Sequence, residues 1–264
     1  MGICTDKSTT YLKQHGYNVV RHPREGIRPL DLIGRQKGAV NYLGRLDKLL
    51  TNPQMPLPAI RSNYESAEIS GQTSSKLPLA IGLNVLASIL SALGAGAGVS
   101  ANYKNAKSLQ FGFGKPLVDS AAQLEIGAYL KNGEIDADNP ILKEYILGHG
   151  DLFLISETIK TNKFTVSAEG AGGGEFKLDV PAIEQLLSAD VQVSAEAGSS
   201  STLSYRGQKQ LVFGFKCIQI GWTDEGMSLV NVKPGSVAMA AGDSDALSAR
   251  PAILEPMGLL DMEF

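Results

Sequence analysis

The sequence predicts an α+β fold, a twisted, mainly antiparallel central sheet with helices around it. Two observations carry this. Apolar and polar residues alternate over several runs in the second half, whereas helical spacing and helix-ending signals dominate the middle. At 264 residues the chain is near the upper size for a single core, so one large domain is expected. Twenty-nine glycines hint at turns, bulges or mobile segments.

Taken in order, the stretch from Thr10 reads as a short helix or turn, followed by a strand at Tyr17–Val20. Pro23, Gly26 and Pro29 break the chain into loop, and Leu30–Ile33 resumes it. Pro53, Pro56 and Pro58 make a rigid connection. From Leu77 to Tyr103 run 27 residues without a charge, between Lys76 and Lys104. That length is enough for a transmembrane helix, which needs roughly 20 apolar residues. Pro78, Asn84, Gly94, Gly96 and Gly98 interrupt it, so the better reading is an amphipathic helix. Leu83, Leu86, Ile89, Leu90 and Leu93 form its stripe, and the glycines end it. A helix is expected over 119–131 with Leu124, Ala128 and Leu130 inward, and another from Asn139-Pro140 through Leu147.

In the second half Phe164, Val166 and Ala168 alternate with Lys163, Thr165, Ser167 and Glu169. Beyond the glycine link 170–174, Phe176, Leu178 and Val180 alternate with Glu175, Lys177 and Asp179. This pattern predicts a hairpin with one apolar and one charged face. A short helix is expected between Pro181 and Ser188. Strands follow at Val191–Glu196, at Leu203 and Tyr205, and at Leu211–Ile220. Long flat strands like these leave edges that invite pairing. From Ala240 the chain turns small and polar, then strongly apolar at Ile253, Leu254, Met257, Leu259, Leu260, Met262 and Phe264. Such a segment normally docks on something.

Charge is uneven: residues 1–61 carry ten Lys/Arg against four Asp/Glu, although the whole chain is at −3. That basic part suits nucleic acid, anionic lipid or the acidic remainder of its own chain. Sparse aromatic interleaving argues against nucleic acid. Two cysteines, Cys4 and Cys217, make no disulfide framework. The start, Met-Gly-Ile-Cys-Thr-Asp, has no basic n-region and no apolar h-region, so a reducing cytoplasm is expected. Asp6 makes Gly2 a poor myristoylation acceptor.

Nothing resembles a catalytic site. The three histidines, His15, His22 and His149, are scattered; there is no metal-ligand spacing, no G-x-S-x-G, and no Rossmann or P-loop order in the glycine runs. No enzymatic activity, metal or nucleic-acid partner is expected.

The run Gly16-Tyr17-Asn18-Val19-Val20-Arg21-His22-Pro23-Arg24-Glu25-Gly26-Ile27-Arg28-Pro29-Leu30, with Gly34-Arg35, resembles the opening of the bacterial gasdermins. So do the early cysteine, the length and the short apolar tail. The resemblance is strongest over residues 1–50. It implies a gasdermin N-domain-like fold over 1–242, a cleavable linker at 243–250 and an autoinhibitory peptide at 251–264. It further implies a protein kept silent in the cytoplasm until a protease, caspase-like or similar, cuts near its end. The body then oligomerises into a large transmembrane β-barrel in the inner membrane and kills the cell as antiphage defence.

On this resemblance Cys4 is palmitoylated, and palmitate is the only added group expected. Asp245, Leu247 and Arg250 all remain open as the residue before the cut. Ile253, Leu254, Met257, Leu259, Leu260 and Phe264 would make the autoinhibitory contacts. Phe164, Val166, Ala168, Phe176, Leu178 and Val180 would line a membrane hairpin, with the charge-free 77–103 in the other hairpin region. A spanning strand needs roughly 9–11 residues, and Ile159–Glu169 supplies eleven. A sheet with one face on its own core explains the same alternation. The competing reading is a soluble binding or scaffold protein whose Gly-rich hairpins grip a partner.

Overall fold

The computed structural model describes residues 10–66, 69, 73–74, 76–94, 98–136, 138–146, 150–170, 176–196, 198–223, 226–230, 251–255 and 259–264. Its first elements are α1 (Thr10–Gln14), β1 (Asn18–Arg24), β2 (Asp31–Gln36), β3 (Ala39–Arg45), β4 (Ile60–Glu65) and β5 (Leu77–Pro78). Next come α2 (Leu79–Leu93), β6 (Ala106–Gly114), β7 (Leu117–Ala121), α3 (Gln123–Lys131) and α4 (Pro140–Ile146). Then follow β8 (Asp151–Gly170), α5 (Val180–Glu184), β9 (Gln192–Ala195), β10 (Thr202–Thr223) and β11 (Gly226–Val230).

Two long antiparallel strands, β8 and β10, form the spine of one curled sheet. The outer edge of β8 is shared in succession by β2, β7 and β6. That of β10 is shared by β9, β1 and β11. Register shifts along β8/β10 between Arg206 and Leu211, and again near Gly214 and Cys217, mark irregularities of the bulge type. Such irregularities bend and twist a strand, and they suit a sheet that curls.

Burial follows from what lies on each face. Leu152 through Ser156 are all buried: Leu152 and Leu154 share a cluster with α3 and α4, while Phe153 and Ile155 share another with Val20, Val40 and Phe215. From Lys163 to Gly170 only every second side chain is buried, with Phe164, Val166 and Ala168 packed under α2. This is the alternation visible in the sequence.

Helix α2 buries Leu86, Ile89, Leu90 and Leu93, and Leu83 packs against the same cluster. Gly94 ends it in the left-handed region at φ 85°, its N–H donating to the carbonyls of Leu90 and Ser91. Among the described residues no helix is long and apolar enough to cross a membrane, a statement that leaves strands aside. In front of α4, Asn139 Oδ1 accepts from the Ile141 N–H at 3.0 Å, which caps the helix.

Several expectations fail. Residues 163–168 and 176–180 do not pair as a hairpin. Both edges of β8 there are already bonded to β6 and β10, so Phe176–Asp179 has no ladder to join. Instead Asp179 caps α5 through Ala182 N–H, Val180 is helical, and Phe176, Leu178 and Val180 half-bury against the α2 cluster. The helix over 119–131 begins only at Gln123, since 117–121 forms β7 against β8. Its buried set is Ile126, Tyr129 and Leu130, and Leu124 is 90% exposed. Leu203–Tyr205 and Leu211–Ile220 belong to one 22-residue strand.

Asp31, at the start of β2, is a buried carboxylate. Desolvation pushes its pKa from 3.8 up to about 6, against the opposing pull of the Arg28 N–H at 2.7 Å and of Arg45. Between pH 4 and 6 the folded chain therefore holds a proton the unfolded chain has lost. Stability from this group is present at low pH and falls as pH rises through that window, by up to about 3 kcal/mol. Asp31→Asn is expected to raise Tm at pH 7.5 by about 2–6 °C and to leave it unchanged near pH 4, as thermal melts would show.

Candidate functional site

The run β1-β10-β8-β2-β3 leaves two outer edges, one on β1 and one on β3. The tail lies between them. Leu260 N–H donates to Val19 O at 2.8 Å and Leu260 O accepts from Arg21 N–H at 2.8 Å, a parallel bridge to β1. Three residues on, Glu263 N–H donates to Val40 O at 2.9 Å and its carbonyl accepts from Tyr42 N–H at 2.8 Å, a parallel bridge to β3. The tail is thus a sixth stave, and the curled sheet closes on itself.

Inside this ring Ala252, Leu254 and Leu260 are buried with Val20, Ile33, Val40, Phe153, Phe215 and Cys217. Met262 packs against the same cluster, and Leu259 against a neighbouring one with Val19 and Phe213.

Upstream, Ala252 bridges to Cys217 on β10, its N–H donating to the Cys217 carbonyl at 2.8 Å. Asn18, 2% exposed, turns both ends of its amide to the tail. Oδ1 accepts from Leu254 N–H at 2.7 Å, and Nδ2 donates to Ala252 O at 2.8 Å. Gly16 is where α1 turns into β1, at φ 81°, and Pro251 lies against it. A Cβ at Gly16 would come within 3.1 Å of the Pro251 ring, so a side chain there strains both backbone and tail.

The rim is charged. Arg21 Nη1 meets Asp261 Oδ2 at 2.9 Å, and His22 bridges Ser88 of α2 (2.8 Å) and Asp261 (4.0 Å). The Phe264 ring lies against Tyr42, centroids 5.3 Å apart, with the Arg24 guanidinium 3.6 Å from its centroid. Part of the basic first segment therefore meets the tail of its own chain. Burial pushes the Cys217 thiol well above its ordinary pKa, so beneath the tail it is a neutral, inert thiol.

Of the residues expected to matter, Leu254 and Leu260 are buried at this groove, Ile253 and Leu259 are half-buried and Phe264 is 51% exposed. Met257, Cys4, Asp245, Leu247 and Arg250 lie outside the described residues. Phe164, Val166 and Ala168 sit elsewhere, in the core under α2. Their polar neighbours on β8 are paired: Lys163 with Glu196 (3.5 Å), Ser167 with Thr202 (2.9 Å) and Glu169 with Lys76 (3.0 Å). Lys76 and Ser108 hold the Glu169 carboxyl below its usual range.

Sequence reasoning missed Asn18 and the Arg24–Phe264–Tyr42 stack. A polar Asn18 among Tyr17, Val19 and Val20 was the available signal. Among the described residues no group of three His, Cys, Asp or Glu could hold a metal ion.

Comparison with known proteins gives a consistent family. The model of the Bacterial Gasdermin Family matches residues 20–227. Over 264 residues, 100% of this chain and 99% of the relative, the sequence is 48% identical to gasdermin bGSDM of Vitiosangium sp. (strain GDMCC 1.1324). Gasdermin bGSDM of a Desulfuromonadales bacterium is 32% identical over 241 residues, 90% of each chain. The structure of a bacterial gasdermin from Bradyrhizobium tropiciagri matches 98% of this chain and 96% of its own with a TM-score of 0.68 at 16% identity, a likeness of fold.

Proposed function

The chain belongs to the bacterial gasdermin family, and from that premise we propose that it is a membrane pore former held silent by residues 251–264 until a protease cuts within 243–250. One observation carries the reading: the tail bridges the two outer edges of the run β1-β10-β8-β2-β3. Unpaired edges are templates for another chain. In this reading a partner protease, caspase-like or similar, removes the stave, the body oligomerises, and the cut protein moves from the cytoplasm to the inner membrane and kills the cell in defence against phage.

The membrane segments are 159–180 and the region around 77–103. Residues 159–170 are already extended, with an apolar row at Phe164, Val166 and Ala168 opposite a polar row, as a barrel with lipid outside and water inside requires. Release of α2 would uncover that apolar row for lipid, and Phe176, Leu178 and Val180 would return alongside as the second strand. The same side chains serve as core in one state and lipid-facing surface in the other.

Cys4 is proposed to carry palmitate. An apolar groove lined by Leu12, Val19, Leu77, Ile89, Phe111 and Leu259 lies near the start of the described chain, with about 40 Å³ of space, so it would have to widen to take more than a small part of the acyl chain before activation. Cys4 is eight positions before Leu12, a span of at most about 29 Å when extended. Leu259 belongs to the tail, so loss of the tail opens one wall of the groove. Each buried methylene contributes about 0.8 kcal/mol to membrane attachment, and many subunits in a ring act together.

The test is dye release from liposomes by a chain nicked within 243–250. The nicked chain, once the tail is gone, is expected to leak and the uncut chain to stay silent. A binding or scaffold protein would release no dye in either form, and that result would remove the pore reading.

A further inference from the structure

The tail touches the body as a peptide ligand would. Asn18 offers a carbonyl and an N–H to residues 252 and 254, as a neighbouring strand's main chain does. The main chain at 260 and 263 pairs with two sheet edges, and Leu254 and Leu260 fill apolar positions between them. Phe264 lies against both the Arg24 guanidinium and the Tyr42 ring. Every one of these contacts lies at or beyond residue 252, so none depends on the covalent link through 243–250.

We propose that this groove is a binding site for an extended apolar peptide, and that it holds segment 251–264 in trans after the chain is cut. Cutting then leaves a silent noncovalent complex, and departure of the peptide, not scission, opens the body. The proposal rests on reading 251–264 as the inhibitory segment and adds how inhibition ends. Scission only exchanges the high effective concentration of a tethered ligand for the bulk concentration of a free one. When the peptide leaves, the Asn18 amide loses both tail partners in an apolar pocket and two sheet edges stand open, costs that favour rebinding. Activation is therefore dilution-dependent, and free peptide reverses it until pores form.

The experiment uses the full chain with a protease recognition sequence placed in 243–250; dye release is read with Cys4 intact, and a parallel Cys4→Ser form, in which Cys217 is the sole cysteine, serves the thiol labelling only. After complete cutting the chain is followed by gel filtration, maleimide labelling of Cys217, anisotropy of a labelled 251–264 peptide, and dye release. At about 10 µM the cut peptide is expected to co-elute with the body and Cys217 to stay protected. Dilution of roughly 100-fold should expose the thiol and start leakage, and excess synthetic peptide should suppress leakage at least tenfold. Peptide carrying Phe264→Ala should bind about tenfold more weakly, and Asn18→Leu in the body should weaken binding roughly 10–100-fold.

If Asn18→Leu fails to fold, the peptide variants carry the same comparison on an unaltered body. Immediate separation of peptide and body at 10 µM or above, with leakage indifferent to added peptide, overturns the proposal. A body stripped of its peptide that releases no dye overturns the pore reading instead, and the anisotropy result still decides whether the groove binds.

Discussion

Uncut chain carrying Leu260→Asp is expected to leak dye from liposomes with no protease present, whereas Leu260→Met stays silent. Leu260 is 5% exposed among Val20, Ile33, Val40 and Phe215. Its removal forfeits roughly 1.5–3 kcal/mol of apolar burial, and the new carboxylate adds several kcal/mol of desolvation. Each 1.4 kcal/mol is tenfold, so the undocked fraction should rise by about three orders of magnitude. The remaining tail contacts, among them the rim pair Arg21–Asp261 and the half-exposed Phe264, are too weak to compensate. Circular dichroism showing a folded body separates undocking from unfolding. A folded, silent Leu260→Asp chain would mean that the tail is not the lock.

The reverse change should abolish activation. Val20 and Leu260 face each other across a parallel bridge and share one cluster. Neighbouring strands bring Cα atoms into the range a disulfide accepts, about 4.4–6.8 Å. Val20→Cys with Leu260→Cys, in a chain with Cys217→Ala, should stay silent when oxidised and then cut. Added reductant should restore leakage by on the order of 100-fold, because the crosslink keeps the tail at high effective concentration. Equal leakage from the oxidised and reduced forms, with the crosslink verified by mass, would show that the body opens elsewhere.

How much was legible depended on how local each cause is. Helix α2 was readable because its stripe and its glycine stop are set within 16 residues, 79–94. Asn139 before Pro140 likewise announces α4 on its own. The alternation over 163–170 was readable because a single face there is buried. The same rule failed at 176–180, where alternation is real but neither edge of β8 is left to pair with. Leu124 was misplaced because three apolar residues fit one helix face as well as another until the cluster with Leu46, Leu49, Leu152 and Leu154 selects Ile126, Tyr129 and Leu130.

The groove was half visible. An apolar tail announced docking, but its pairing with β1 and β3 depends on how far the sheet curls, a property of the whole strand set. Asn18 was hidden for a related reason: its partners are 234 and 236 positions away.

The stave also fixes an order of events at the birth of the molecule. Arg21 and Asp261 meet across 240 positions, among the longest separations in the fold. Chains emerge amino end first, at about 5–20 residues per second, so everything 251–264 covers exists before the segment that covers it. Each new molecule thus passes through an interval in which the β1 and β3 edges are not yet covered by the tail. A translation product that stalls or terminates within 231–250 never leaves that interval. If the uncovered body forms pores as proposed, cells making this protein should tolerate mistakes early in its message far better than mistakes near residue 250.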